Sequence, residues 1–552
     1  MPTDTLFDNF ASPPKAFSPV PIWWWSGEKI ERSRLRWQLE RFVEGGVYNL
    51  IVLNLAPTNP LYGADPDDPP FLSEEWWELF LSMCEDAREL GVSIWFYDQI
   101  GFSGANFQGQ VVRENSRFAG QWLDSVVNEG DEPVELVCPA EGTPLAAAVT
   151  WLGEDGEPQP LEIRAGRVMA PGGRRRRVRL VYAVRRGFDY FSAEGCARLL
   201  DMVHGEFERR ASHLFNDVIV GSFQDELPSL ASWGEGFAEA FRTQKGYDLV
   251  PRLVELWDGR GDDADRLRCD FHQVRATLAE EAFFKPLFRW HERHHLLCGF
   301  DQQGPARAGH PIATVGLYAD YLRTHRWFTA PGSDHHGEAK IHSSLAHLYD
   351  RPRVWIESFH SSGWGGTLEE TFDWLLPWLR AGATLYDPHA VYYSTRGGWW
   401  EWAPPSTCWR QPYWRHYEHF ANAVSRLCYV LSQGHHVCDI GVLFPTTTIQ
   451  AGLLADPKGI VLPDAQAAHD IYEKLVGSML WQNMRPGVLD CDRRDYDVLD
   501  DASLQRGVVD GGALVIGAER YRVLLLPGAS VLEGATAAKL ADFVEGGGQL
   551  IA

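Results

Sequence analysis

The chain has 552 residues, 45% hydrophobic and 23% charged, with 52 Gly and 33 Pro. That is enough for one large barrel with companions, and nothing in it reads as disordered or fibrous. Lys and Arg number 51 against 75 Asp and Glu, a formal net charge of −24, which argues against nucleic acid as the main partner because phosphate binding runs on clustered bases.

In chain order, residues 20–25 form a strand candidate, followed by a predicted helix over 29–44 and a second strand over 47–54. A helix over 73–90, well begun by Ser73 and the acids after it, leads to a third strand over 92–98. The alternation then breaks. Residues 112–186 carry short alternating segments and turn signals, which predicts a β-rich insertion. Helices near 193–214 and 263–294 then flank strands over 218–223 and 296–301, with further strands over 327–331, 354–358 and 383–387. Eight strand–helix units with nearly all-apolar strands predict an α/β fold, a (β/α)8 TIM-type barrel made of residues 1–111 and 187–433. An open sheet is the alternative. Residues 434–552 read as a smaller doubly wound, flavodoxin-like α/β domain with strands over 439–444, 513–516, 523–526 and 549–552. The chain ends inside that last strand, so the companion domain is expected to be cut short.

No apolar run approaches the roughly 20 residues of a membrane helix. The N-terminal segment carries Asp4, Asp8 and Pro13-Pro14 and has no signal-peptide pattern. The nine cysteines are scattered without a CxxC pair, which reads as reduced thiols in a cytoplasmic protein. Trp is abundant at 23 residues, and core packing is the ordinary use of most of them.

In a barrel the chemistry sits at the C-terminal ends of the strands. Those ends read Trp25-Ser26, Asp98-Gln99, Asp225-Glu226, Asp301-Gln302, Asp334-His335-His336-Gly337-Glu338, Glu357-Ser358-Phe359-His360 and Asp387-Pro388-His389. A ring of acids, amides, histidines and indoles with few bases is what glycosidic cleavage needs. One carboxylic acid protonates the leaving oxygen and a second carboxylate activates water or attacks the sugar. Glu226 and Glu357 are the best pair, with Glu338 third. Trp25, Trp364, Tyr392 and Tyr393 are candidate walls, and Asp98, Asp225, His335 and His389 candidate sugar contacts. No nucleotide cofactor is predicted, because Gly546-Gly547-Gly548 follows a helix and precedes a strand, the reverse of a phosphate loop.

The chain resembles the bacterial α-L-rhamnosidases of glycoside hydrolase family 106. The resemblance lies in Pro21-Ile22-Trp23-Trp24-Trp25, Tyr97-Asp98-Gln99-Ile100-Gly101-Phe102-Ser103-Gly104, Asp225-Glu226, Gly246-Tyr247-Asp248-Leu249, Trp355-Ile356-Glu357-Ser358, Pro388-His389-Ala390-Val391-Tyr392-Tyr393-Ser394 and Leu431-Ser432-Gln433-Gly434. It implies an inverting barrel enzyme, with calcium at the sugar site in many members. By motif, Glu226 would be general acid, Glu357 general base, and Glu338 an accessory carboxylate. Gln99 departs from the pattern, since an acid is expected after Asp98.

Two other function classes compete. A decayed barrel could bind carbohydrate without catalysis, and Gln99 is the feature that favours it. His291-Glu292-Arg293-His294-His295 matches the HExxH pattern of zinc metallopeptidases, with His291 and His295 as ligands and Glu292 as base. The helix is predicted to stop at His295, and no third ligand follows. Arg174-Arg175-Arg176-Arg177 reads as a solvated strand edge, and His435-His436 as part of a turn.

Overall fold

Strand β1 (Ile22–Trp24) is followed by α1 (Arg32–Glu44), β2 (Asn49–Leu53), α2 (Glu74–Leu90) and β3 (Ser93–Tyr97) in the computed structural model. It describes all residues except 1–2, 59–63, 103, 154–157, 335–338, 360–361, 397–406, 457 and 481–482. The start of α2 follows its sequence signals. The Ser73 side chain accepts from the Trp76 N–H, Glu74 and Glu75 occupy the first turn, and Gly91 ends the helix at φ +66°.

The insertion contains the long strands β4 (Ala119–Gly130), β5 (Gly142–Trp151) and β6 (Arg176–Phe188), with β6 antiparallel between the other two. The central place of β6 overturns the solvated-edge reading for Arg176. That side chain is 1% exposed and donates to the carbonyls of Gly130, Glu132 and Ala170. Arg177 and Arg179 converge on the buried Asp258 carboxylate.

The alternation resumes with β7 (Ile219–Leu227), α3 (Asp262–Ala279), α4 (Lys285–His294), β8 (Leu297–Gln302), β9 (Gly332–Asp334), α5 (Ala339–Tyr349) and β10 (Trp355–Ser358). Then come α6 (Leu368–Arg380), β11 (Leu385–Pro388), β12 (Val391–Tyr392) and α7 (Tyr417–Leu431). The sixth strand lies a few residues later than the sequence suggested. Phe328 turns into the core beneath the helices, and Pro331 has no N–H to give a ladder.

All these strands run parallel, in two ladders ordered β8-β7-β3-β2-β1-β12 and β9-β10-β11. A single parallel bridge between Gly299 and Ala330 joins β8 to the lead-in of β9. On the other side, β11 pairs with β10 while β12, just beyond it, pairs with β1. The Val20 N–H also donates to the Tyr386 carbonyl at 2.8 Å.

Side chains alternate across the regular stretches of these strands. One set, including Trp24, Ile51, Leu53, Trp95, Tyr97, Phe223, Trp355 and Tyr392, packs together on the inner face. The other set, including Trp23, Trp25, Leu50, Val52, Ile94 and Phe96, packs under the helices.

The last part of the chain contains β13 (Ile440–Leu443), β14 (Asp497–Leu499), β15 (Val508–Asp510), β16 (Ala513–Ile516), β17 (Glu519–Tyr521), β18 (Val523–Leu525), α8 (Gly534–Glu545) and β19 (Gln549–Ile551). A parallel sheet ordered β14-β13-β18-β19 forms here. Residues 513–516, expected in that sheet, instead form the middle of an antiparallel β15-β16-β17 sheet. Gly511 and Gly512, both at positive φ, make the tight two-residue turn that folds β15 back on β16. The vacated place is taken by β14, a three-residue strand that opens on a buried Asp497.

Candidate active site

Asp334, Glu357 and Asp387 lie side by side on β9, β10 and β11, in the register Asp334↔Glu357↔Asp387. In-register neighbours on parallel strands face the same side, so the ladder itself lines up three carboxylates. Asp225 near the end of β7 and Asp301 on β8 join this row, and carboxylate oxygens of Asp225, Asp301 and Glu357 lie within 4.8 Å of one another. Asp301 and Asp387 are 0% exposed and Glu357 is 5% exposed. Burial pushes Asp225, Asp301, Glu357 and Asp387 well above the usual carboxylate range, and their mutual repulsion adds to it. Without a compensating cation they cannot all be ionised. The Tyr97 hydroxyl donates to Asp225 Oδ2 at 2.6 Å.

Glu226 reaches this rim by a backbone device. It sits at φ +45°, uncommon for a residue with a Cβ, where the β7–β8 register shifts between Gln224 and Leu227. The irregularity lets two consecutive acids, Asp225 and Glu226, serve the same rim. Glu226 keeps 36% of its side chain exposed, in contrast to the buried row.

Arg307 links the two environments, and sequence reasoning missed it. It lies on the short turn Ala306–Ala308 after β8 and is 7% exposed. Its Nη1 donates to Glu226 Oε1 at 3.2 Å and Asp301 Oδ1 at 3.4 Å, and its Nη2 pairs with Asp334 Oδ2 at 3.0 Å. Burial opposes its charge, but Asp334, Asp301 and Glu226 outweigh that and hold its pKa above the ordinary value. A lone Arg six residues beyond a strand-ending Asp carries no pattern that would single it out.

Adjacent residues on a strand face opposite sides, which sorts the remaining candidates. Tyr392 lies on the inner face, 2% exposed, with its ring 5.2 Å from Trp24. Tyr393 does not. Its hydroxyl donates to the Lys29 carbonyl and accepts from the Glu31 N–H, fixing the entry to α1. Trp25 is likewise no wall, because it is 0% exposed and packs against Trp23, Trp76 and Phe80 under the helices. Asp98 turns the same way, accepting from the Ile100 N–H at 2.9 Å and Gln224 Nε2 at 3.0 Å, so it is separated from the acid row. Burial raises its pKa to about 7.

His389 stays beside the inner face, with its ring 5.3 Å from Trp24. Trp364 lies in the loop after β10 and is 37% exposed. His335 and Glu338 lie outside the described residues. Gln99 donates through Nε2 to the Asn54 carbonyl at 2.6 Å, so its amide ties two strand ends together.

The HExxH reading fails on geometry. His291 is 0% exposed, with Nδ1 at the Leu287 carbonyl and Nε2 2.7 Å from Ser222 Oγ, and burial lowers its pKa to about 4. His295 has already left the helix in the left-handed conformation. The two imidazoles therefore share no face for a metal.

No family model matches the chain. A curated relative from Formosa agariphila, named "Putative beta-glucuronidase", is 23% identical over 352 residues, covering 61% of this chain and 26% of its own. The chain thus spans about a quarter of that relative's length. Among solved structures, a rhamnosidase from Novosphingobium sp. PP1Y superposes with a TM-score of 0.66 at 13% identity, covering 99% of this chain and 69% of that one. A GH42 beta-galactosidase from G. stearothermophilus gives 0.55 at 12% identity, covering 98% and 71%. A beta-galactosidase from Rahnella sp. R3 gives 0.51 at 11%, covering 97% and 71%. At these identities what the chain shares with these glycosidases is their α/β fold.

Proposed function

We propose that the chain is a glycoside hydrolase that cleaves terminal α-L-rhamnosides, or a related deoxy-sugar glycoside, with inversion, as its resemblance to glycoside hydrolase family 106 implies. One observation carries this reading: Glu226 and Glu357 stand on the same rim in opposite settings, joined through Arg307 and Asp301. The catalytic unit is a (β/α)8 ring of residues 1–111 and 187–433, with 112–186 inserted and 434–552 as companion. Hydrogen bonding across both junctions of the two parallel ladders supports that closure.

Inverting hydrolysis needs an acid on the leaving-group side and a base holding water on the opposite face. Glu226, about a third open to solvent, suits the acid, because the aglycone must leave through the mouth. Arg307 holds Glu226 in place through Oε1. Glu357 suits the base, since its buried Oε2 has no hydrogen-bond partner and can take a proton from water. Trp24 and Tyr392, each 2% exposed, pack within the inner-face cluster and offer no open wall to the sugar.

The donor set also fits the calcium that the family resemblance implies. Asp225 and Asp301 would hold it, with Glu357 at its side, because three hard oxygens this close suit such a cation. Calcium would supply the positive charge that keeps these carboxylates ionised and would bind sugar hydroxyls. No helix among the described residues is long and apolar enough to cross a membrane. The described residues contain no disulfide, and a reducing compartment such as the cytoplasm is part of this proposal.

The test is a panel of aryl glycosides assayed with the wild-type chain and with Glu226→Gln. Turnover of the rhamnoside, lost in the variant by about 10²–10⁴-fold, supports the reading. Binding of rhamnose without turnover of any glycoside would replace it with a binding protein.

A further inference from the structure

A second cluster lies far along the chain from the acid row, where α5 meets the companion sheets. His347 on α5, His436 before β13, Asp497 at the start of β14 and Glu519 at the start of β17 each offer one atom, all within 4.8 Å of one another. Four separate elements contribute one residue each. Asp497 is 0% exposed and Glu519 is 3% exposed, so both carboxylates are withdrawn from water. Glu519 Oε2 has no hydrogen-bond partner and stands 3.6 Å from His436 Nδ1.

The spacings are those of ligands around a small ion. His347 Nδ1 is 2.8 Å from Asp497 Oδ1, and His436 Nδ1 is 3.2 Å from Asp497 Oδ2. Ligand atoms at about 2.0 Å from a tetrahedral zinc lie about 3.3 Å apart, and the 2.8 and 3.2 Å contacts here, together with the 3.6 Å from His436 Nδ1 to Glu519 Oε2, span that value.

A surrounding shell is also in place. His436 Nε2 faces Asp495 Oδ2 at 2.8 Å, the carboxylate contact that a metal-bound imidazole uses to fix its orientation. Asp495 is itself paired with Lys340. Asp497 accepts from the Tyr521 hydroxyl at 2.9 Å and from Ser344 Oγ at 3.1 Å. The two imidazoles stack, with ring centroids 4.3 Å apart. A cavity of about 740 Å³, lined in part by Lys340, His347, His436, Asp495 and Glu519, gives the ion a way in.

We propose that His347, His436, Asp497 and Glu519 bind one zinc ion, which pins α5 to the companion sheets. Two imidazoles and two carboxylates in a closed set suit zinc better than calcium, which takes more oxygens and no preferred imidazole. His435-His436 was expected to be part of a turn; His435 is exposed, and His436 instead faces this cluster. Neighbouring His residues make poor joint ligands, yet one of the pair is enough when its partners come from elsewhere.

The experiment strips the full-length chain with chelator and titrates it with zinc against a chromophoric competitor, with calcium in excess throughout. Cobalt(II) is used in parallel, because tetrahedral coordination gives intense visible bands. One equivalent of zinc is expected, together with those bands. His436→Asn and the near-isosteric Glu519→Gln should each weaken binding by about 10–100-fold or more while circular dichroism stays native. Zinc binding unaffected by both variants, or no uptake by a folded wild-type sample, would overturn the proposal. Glycoside hydrolysis is not a readout here, so failure of the catalytic reading would leave the result standing.

Discussion

The carbonyl oxygen of Asp225 occupies the position where Gly101 would carry a Cβ. The loop after β3 closes onto this backbone, and the Phe102 N–H donates to the same carbonyl at 2.8 Å. Gly101 thus holds the left-handed Glu226 in place without touching either carboxylate side chain. Gly101→Ala must push the Asp225–Glu226 backbone away. The expected result is a loss of about 1–3 kcal/mol in stability and a fall in kcat well beyond that of a surface Gly→Ala control. Chemical denaturation and steady-state kinetics on both variants check it.

Arg307→Met removes the guanidinium shared by Glu226, Asp301 and Asp334. Breaking a buried pair by removing one partner costs about 3–5 kcal/mol, and Asp334→Asn in the same chain should restore part of it. Arg307 is a positioning residue for the acid. Hydrolysis of substrates with poor leaving groups should therefore fall further than hydrolysis of a nitrophenyl glycoside. Equal losses on both would contradict that role.

Asp98 gives a pH test away from the acid row. Its carboxyl is raised by burial from 3.8 to about 7, so the folded protein holds this proton where the unfolded chain has lost it. Folding stability from this group is complete below about pH 4 and declines as pH rises to about 7, by up to about 4 kcal/mol. Asp98→Asn should flatten that decline. Gln224 can turn its amide to meet the new donor, since its Oε1 is buried without a partner. Urea midpoints for the two proteins between pH 4 and 7.5 would settle it, and parallel curves would show that Asp98 is ionised throughout.

Tyr393→Phe separates the two neighbouring tyrosines. The lost hydroxyl bonds to Lys29 and Glu31 predict a stability loss of about 1 kcal/mol. KM for the glycoside should stay within about twofold, since Tyr393 faces the helices. A large KM change would return Tyr393 to the sugar wall.

Much of this arrangement was legible from residue order. Apolar runs ending in acids located most of the strands and, with them, Asp225, Glu226, Asp301, Asp334, Glu357 and Asp387. The inner or outer face was not legible. Trp25 and Tyr393 each follow a residue of the same character, and only the β1–β12 register shows that Trp24 and Tyr392 are the inward members. Asp98 ends its strand as Glu357 does, yet parity turns it under the helices. Arg307 was missed, and His436 was read only as part of a turn, because their partners come from elements that only folding brings near. Residues 513–516 were misplaced because an apolar strand looks the same in a parallel sheet and in a hairpin, and the neighbouring glycines decide.

The most direct measurement is proton NMR of the sugar released from an aryl α-L-rhamnoside during the first minutes of hydrolysis, with calcium and with chelator. Initial release of the β-anomer, stimulated by calcium and abolished in both Glu226→Gln and Glu357→Gln, is the predicted result. Initial release of the α-anomer would contradict the roles given to this pair. No hydrolysis by a demonstrably folded sample would contradict the rhamnosidase reading itself.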